Sequence, residues 1–206
     1  MDRTTSQRLS EYGSATLAES GATVLDEQIR AVWHGSSFAA PAFTILCADG
    51  DNLAIHSGVV SAPRGSVLAI GIEGQTKRGY WGEVLTTAAE AAGIVALVID
   101  GTVRDAGALQ RHRFPVFARG IGLRGATKRG AGSIGRPTSV GGVIVEPGDW
   151  LVGDADGVVA VRAASLSICL DAAAERSAKE SAMFERLRTG STTLELLGLD
   201  DRTIER

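Results

Sequence analysis

GYWGEVLTTAAEAAGIVALVIDGTVRD, residues 79–105, is the stretch whose reading decides the fold. It opens on a glycine turn, Gly79-Tyr80-Trp81-Gly82, and continues as a short helical pattern from Glu83 to Ala92. Gly93 stops that helix, since glycine enters the left-handed conformation of a helix C-terminus without a Cβ penalty. Ile94 to Ile99 is an unbroken apolar run, which reads as a strand buried on both faces. That strand is expected to end at Asp100-Gly101, and the adjacent pair Arg104-Asp105 follows two residues later. An acid at the start of the helix and an Arg-Asp pair past the end of the next strand can share one pocket. In open α/β sheets ligands sit outside strand carboxyl ends and against helix N-termini.

Working outward, residues 1–36 carry helical signals, with Leu25, Ile29 and Trp33 on one i, i+4, i+8 stripe. Pro41 to Ala48 reads as a strand, Asp49-Gly50-Asp51 as a turn, and Asn52 to Val60 as a short helix ended by Pro63 and Gly65. Ser66 to Ile72 is a second apolar strand. Beyond the central unit come a short strand at Phe114 to Ala118, a Gly- and Arg-rich loop from Arg119 to Pro137, and strand-turn-strand-turn-strand over 143–161. A charged helix over about 163–188 closes the pattern, with Leu166, Leu170, Ala173, Met183 and Leu187 as apolar anchors. This order predicts an α/β fold with a mixed sheet and a C-terminal helix, in one domain over 1–206.

The bulk numbers agree with a globular chain. Hydrophobic content is 44% and charged content 22%; aromatics are only 5%, so Val, Ile, Leu and Ala must fill the core. A net charge of −3 gives no general electrostatic case for nucleic-acid binding. No apolar run approaches the length of a membrane span, and the first residues lack a signal-peptide core. Cys47 and Cys169 lie far apart and outside metal-ligand spacing, as expected of reduced thiols in a cytoplasmic protein.

Four groups could carry chemistry. Asp105 offers oxygen ligands to a hard cation, Mg²⁺ or Mn²⁺, and Arg104 a planar fork for a carboxylate, though Arg-Asp neighbours also occur as surface pairs. After Gly82, the Val84 and Leu85 amides at the helix start lack intrahelical partners and can hold a carboxylate. Glu83 there could bind a metal through water, or merely complement the helix dipole. Glu175, Glu180 and Glu185 on the last helix are solvated unless a neighbouring subunit uses one. The loop with Arg119, Arg124, Lys128 and Arg129 matches neither a phosphate-binding P-loop nor a dinucleotide fingerprint, and reads as a surface or subunit-contact loop. His34, His56 and His112 show no metal spacing, and no GxSxG elbow occurs.

Glu83, twenty intervening residues, then Arg104-Asp105 resembles the D/E-x20-R-D signature of the RraA-like class II pyruvate aldolases. GDNLAIH (50–56), FPVFARG (114–120), GGVIVEPGDWLVGDADGVVAV (141–161) and AKESAMFERLRTG (178–190) are similar to further blocks of that family. Gly71-Ile72-Glu73-Gly74 and Arg162 depart from its pattern. The resemblance implies a swivelling β/β/α-type fold and a trimer or dimer of trimers with sites between subunits. It implies that Asp105 ligates Mg²⁺ or Mn²⁺, that Glu83 contacts the ion through water, and that Glu180 from a neighbouring subunit completes the shell. Arg104 would bind substrate oxygens, and the Val84 and Leu85 amides the pyruvyl carboxylate. The implied activity is cleavage of 4-hydroxy-4-methyl-2-oxoglutarate or 4-carboxy-4-hydroxy-2-oxoadipate, with decarboxylation of oxaloacetate. The same superfamily contains a non-catalytic regulator that binds RNase E, which is the alternative expectation. A methyltransferase is disfavoured, since no glycine-rich cofactor-binding strand-turn-helix is visible.

Overall fold

The computed structural model describes residues 3–74 and 76–205. In chain order it contains α1 (Arg3–Ala18), β1 (Thr23–Val24), β2 (Arg30–Ala31), β3 (Phe38–Cys47), α2 (Leu53–Ser61) and β4 (Val67–Ile72). Then come α3 (Glu83–Ala92), β5 (Ala96–Val103), α4 (Ala106–His112), β6 (Val116–Ile121), β7 (Gly132–Ile134) and β8 (Thr138–Val140). The chain finishes with β9 (Val143–Val145), β10 (Trp150–Gly153), β11 (Val158–Val161), α5 (Leu166–Arg188) and α6 (Thr193–Leu197).

One curled mixed sheet runs β1-β11-β10-β3-β4-β5-β6-β2, and β8-β9 form a separate ribbon. Strands β3, β4, β5 and β6 are parallel, while β10, β11 and β1 continue the sheet antiparallel beyond β3, and β2 pairs antiparallel with β6. The parallel strands are mostly apolar because both faces are covered, with Thr44, Asp100, Thr102 and Arg119 as the polar exceptions. Their period-2 alternation sends Leu68, Ile70, Leu97 and Ile99 to one face, against Ile55 and Val59 of α2 and Leu85 and Ala89 of α3. Val67, Ala69, Ala96 and Val98 face the other way, against Phe117, Val140, Val145 and Leu151. Leu9 and Leu17 of α1 and Leu170 and Ala173 of α5 cover β10 and β11 through Val152, Val159 and Val161. Each Val, Leu, Ile or Phe among them contributes about 1.5–3 kcal/mol on full burial.

Three expectations need correction. The helical N-terminus expected over 1–36 is a helix only to Ala18, and Gly13 breaks its geometry at φ 74°; residues 1 and 2 lie outside the described part. Leu25 and Ile29 are buried as the stripe required, but on extended and turn backbone. The reason is non-local. Strands β11 and β6 would otherwise end the sheet with unpaired backbone groups, and Thr23–Val24 and Arg30–Ala31 pair with them. Trp33, the third residue of the stripe, donates its indole N–H to the Phe114 carbonyl at 2.8 Å.

The second correction lengthens the central strand. Asp100-Gly101 does not end it; β5 continues to Val103, with a register shift between Ile99 and Thr102 that lets Thr102 and Val103 pair with Gly120 and Ile121. Arg104 is therefore the first residue beyond the strand. Third, a helix follows at once: Asp105 caps α4 in the left-handed conformation, φ 59°. The loop after Arg119 also contains β7, paired with β3.

Candidate active site

The carboxyl end of β5 meets the N-terminus of α3 in a cavity of about 250 Å³ whose lining includes Gly82, Val84, Leu85, Arg104 and Asp105. The turn before α3 is pinned from beneath. Tyr80 and Trp81 are fully buried; the Gly50 amide donates to the Tyr80 hydroxyl, the Trp81 indole to Thr86, and the Arg104 amide to the Trp81 carbonyl. Trp81 stacks on Phe114 with ring centroids 6.1 Å apart. Two bulky aromatic side chains thus fix a backbone that has to present its amides outward.

Glycine is required at 82 for space, since its backbone is extended. A Cβ there would collide with the Asp105 carboxylate. At Gly79 a Cβ would come 2.9 Å from the Arg104 Cδ and 2.7 Å from the Gly122 carbonyl oxygen. The Arg104 stem and the Asp105 carboxylate therefore lie directly on the two glycines that bracket the turn.

Asp105 Oδ2 accepts the Glu83 amide at 3.1 Å and stands 3.8 Å from the Arg104 Nε. The Arg104 and Asp105 side chains are 48% and 42% exposed, and neither is used up by structural bonds. The next amides, of Val84 and Leu85, precede the first intrahelical bond, Thr86 N–H to Gly82 C=O, so they have no intrahelical acceptor, and both residues line the cavity. One wall thus offers amide donors, a guanidinium and a carboxylate.

The Glu83 carboxylate is turned along α3 toward α4, 3.6 Å from His112 Nε2 and 3.7 Å from Arg111; His112 Nδ1 in turn lies 2.8 Å from Glu90. Glu83 therefore meets Asp105 through its backbone amide and does not itself line the cavity. Its side chain is held beside the site by a Glu-His-Glu row that the sequence reading did not identify. Glu180 lies on α5, paired with Arg176 at 2.9 Å, in a separate groove. Within one chain it does not join Arg104 and Asp105.

A divalent cation suits this donor set. Asp105 Oδ1 accepts no hydrogen bond from a described residue, and an exposed hard oxygen is what Mg²⁺ or Mn²⁺ takes, the rest of its shell being mostly water. Among the described residues no group of three His, Cys, Asp or Glu converges, so one chain offers a metal few carboxylates.

The opposite wall was missed. It consists of Asn52 and His56 on α2 and Lys128 on the glycine-rich loop. Asn52 is 5% exposed; its Nδ2 donates to the Tyr80 carbonyl, and its Oδ1 has no donor among the described residues. Burial, then Lys128, holds the His56 imidazole below its ordinary range, against the pull of Asp51. The signal for this wall was present: Asn52 opens a helix just past the carboxyl end of β3, the same placement as α3. The loop, expected to be a surface or subunit-contact element, is largely exposed and is also tied to the site floor. Burial alone would raise the Asp51 carboxyl, but hydrogen bonds from the Thr127 hydroxyl and the Arg129, Leu53 and Gly130 amides hold it well below the carboxylate range. Neither cysteine takes part: both are buried, and burial, with the Asp51 charge, pushes the Cys47 thiol up to about 12.

The class is defined by a mixed α/β fold in which Arg104 and Asp105 stand at a strand's carboxyl end beside a helix N-terminus. The chain belongs to the RraA-like family, described as Aldolase/RraA, which it matches over residues 12–160. It is 35% identical over 162 residues to a protein of Halalkalibacterium halodurans provisionally named 4-hydroxy-4-methyl-2-oxoglutarate aldolase, covering 79% of this chain and 77% of that one. An uncharacterised protein of Pseudomonas syringae pv. tomato shares the fold at TM-score 0.84 and 24% identity, over 95% of this chain and 93% of the other. The RNA-processing inhibitor RraA from Thermus thermophilis superposes at TM-score 0.62 and 25% identity, over 68% of this chain and 85% of that one. The family thus spans a named aldolase and an inhibitor. Among the described residues no helix is long and apolar enough to cross a membrane.

Proposed function

We propose that this protein is a divalent-metal-dependent pyruvate aldolase, a carbon-carbon lyase. Its substrate would be 4-hydroxy-4-methyl-2-oxoglutarate or 4-carboxy-4-hydroxy-2-oxoadipate, with oxaloacetate decarboxylation as a side activity. The observation that supports this reading is that Arg104, Asp105 and the first residues of α3, Val84 and Leu85, line one cavity.

The amides at the start of α3 bind the carboxylate of the 2-oxo acid, favoured by the positive end of the helix. Arg104 donates to the 2-oxo oxygen and stabilises the negative charge that gathers there as the C3–C4 bond breaks and pyruvate leaves as its enolate. Asp105, joined through water by Glu83 and by Glu180 of the partner subunit, would hold Mg²⁺ or Mn²⁺, which when bound supplies Lewis-acid polarisation of the 2-oxo acid. A water beside the metal site, polarised by Glu83 or its neighbours, would take the 4-hydroxyl proton and return it to C3 of the enolate after cleavage. The assembly is a trimer or dimer of trimers in the cytoplasm.

Pyruvate release from 4-hydroxy-4-methyl-2-oxoglutarate and from oxaloacetate, each with Mg²⁺ and with EDTA, tests this. Release that needs the metal is the expected result. A folded, metal-loaded protein that releases pyruvate from neither substrate would end the aldolase reading. A second reading, a protein-binding regulator of RNA processing, draws on the apolar side chains α5 and α6 leave exposed, among them Ile168 at 70% and Leu197 at 53%. In that case the inactive protein would bind a ribonuclease directly.

A further inference from the structure

Helix α4 is bracketed by the two non-glycine residues that have positive φ among the described residues, Asp105 at φ 59° and Arg113 at φ 54°. Asp105 belongs to the cavity already described, and Arg113 to another. Arg113 stands just past the helix end, in the left-handed conformation where glycine is the unstrained choice. Cations in the last turn of α4, Arg111 and His112, complement the negative end of the helix. Arg113 has no direct partner of its own. Its amide donates to the Gln110 carbonyl at 3.0 Å, but its guanidinium makes no hydrogen bond or ion pair with a described residue. Backbone strain kept for a side chain that does nothing inside the fold points to a ligand outside it.

Arg113, Arg111 and His34 line a depression of about 600 Å³ that has no acid in its lining and shares no residue with the cavity at the end of β5. Trp33 lines it as well. The chain around Trp33 is fixed: the Val32 amide donates to the Val116 carbonyl at 2.8 Å, and the Ser36 hydroxyl to the Trp33 carbonyl at 3.0 Å. The indole N–H donates to the carbonyl of Phe114, the residue after Arg113, so ring and guanidinium are tied to one point. Arg111 is 71% exposed, and its one ion pair among the described residues is with Glu83 at 3.7 Å, which leaves its fork able to turn to a ligand. Guanidinium forks bind a carboxylate through paired hydrogen bonds, and an indole held at its edge offers a face for a flat ring. Inorganic phosphate would use the forks and leave Trp33 idle.

We propose that this depression is a second, non-catalytic ligand site that takes an aromatic carboxylate, with the carboxylate on Arg113 and Arg111 and the ring on Trp33. It does not depend on the 2-oxo-acid reading of the α3 wall.

The test is calorimetric binding of 2-naphthoate to the full chain, with naphthalene-2-carboxamide as the neutral isostere and inorganic phosphate as competitor. The carboxylate should bind, the carboxamide should bind roughly tenfold more weakly or less, and excess phosphate should not displace the carboxylate. Arg113→Gly should weaken 2-naphthoate by roughly tenfold while raising the thermal midpoint by about 1–4 °C as the strain is released. Arg113→Asn, which also tolerates the left-handed backbone, should lose the ligand to the same extent. Arg104→Ala should leave 2-naphthoate binding unchanged. Absence of binding, equal affinity for the carboxamide, displacement by phosphate, or full affinity in both Arg113 variants overturns the site. A loss in Arg104→Ala without one in Arg113→Gly assigns the ligand to the α3 wall and overturns it too.

Discussion

Strand β5 carries an Arg-Asp pairing at two places, and the two have opposite characters. In its middle, Asp100 accepts from the Arg119 guanidinium and, at 2.7 Å, from the Gly141 amide; Arg119 also reaches Asp26 at 2.9 Å. The Asp100 bond, then that of Asp26, raises the Arg119 pKa against the cost of burial. Past the strand's end, Arg104 and Asp105 sit 3.8 Å apart, about half exposed, with one backbone donor between them. A paired, enclosed charge has little capacity left for a ligand, whereas a charge at a strand's carboxyl end with unfilled valences has that capacity. The first pairing joins β5, β6 and the β8–β9 turn; the second faces the cavity.

The contrast can be broken by substitution. Asp105→Ala and Arg104→Lys should cut metal-dependent pyruvate release by roughly 10²–10³-fold or more, with thermal midpoints moved by less than about 2–4 °C. A variant at either position that turns over normally would remove the distinction. Gly82→Ala adds a methyl group where the Asp105 carboxylate lies, and steady-state kinetics should show roughly a 10–100-fold loss in kcat/KM from displacement of that group. Asp100→Ala should do the reverse: a loss of about 2–3 kcal/mol in urea unfolding, below the cost at a fully buried pair, with kcat retained in the folded fraction.

Smaller effects sharpen the comparison at the opposite wall. Asp51→Asn leaves loop amides without their acceptor and should cost about 1–3 kcal/mol, with a raised KM as Lys128 loses its placement. The smallest effect is the pH dependence from His56. Its pKa is lowered in the folded state, so the unfolded chain binds more protons below the ordinary histidine pKa. Stability should fall as pH drops below about 6.5, and His56→Gln should flatten that slope in thermal unfolding between about pH 5 and 7.

Much of this was legible in the primary structure. Helix α3 has the bounds expected from Glu83 to Ala92, stopped by Gly93 in the left-handed conformation. The apolar runs at 66–72 and 94–99 overlap the parallel strands Val67–Ile72 and Ala96–Val103, and the Arg104-Asp105 pair lies where a strand end and a helix start predict a ligand. What misled was local pattern without knowledge of partners. Leu25, Ile29 and Trp33 have helical spacing, yet the segment is captured by two sheet edges whose other strands lie near residues 118 and 160. The loop after Arg119 looked like exposed surface because its anchor, Asp51, is some seventy-five residues earlier in the chain.

The sequence by itself determined which segments must be buried and where glycine leaves room for a carboxylate, because burial and backbone freedom are properties of residue type and short-range order. Only the tertiary structure decided which charges are matched and which are left for a ligand. That depends on which backbone edges and carboxylates meet across long stretches of chain, as Asp100 meets Arg119 and Gly141 while Lys128 pairs with no acid among the described residues, and no local pattern contains it.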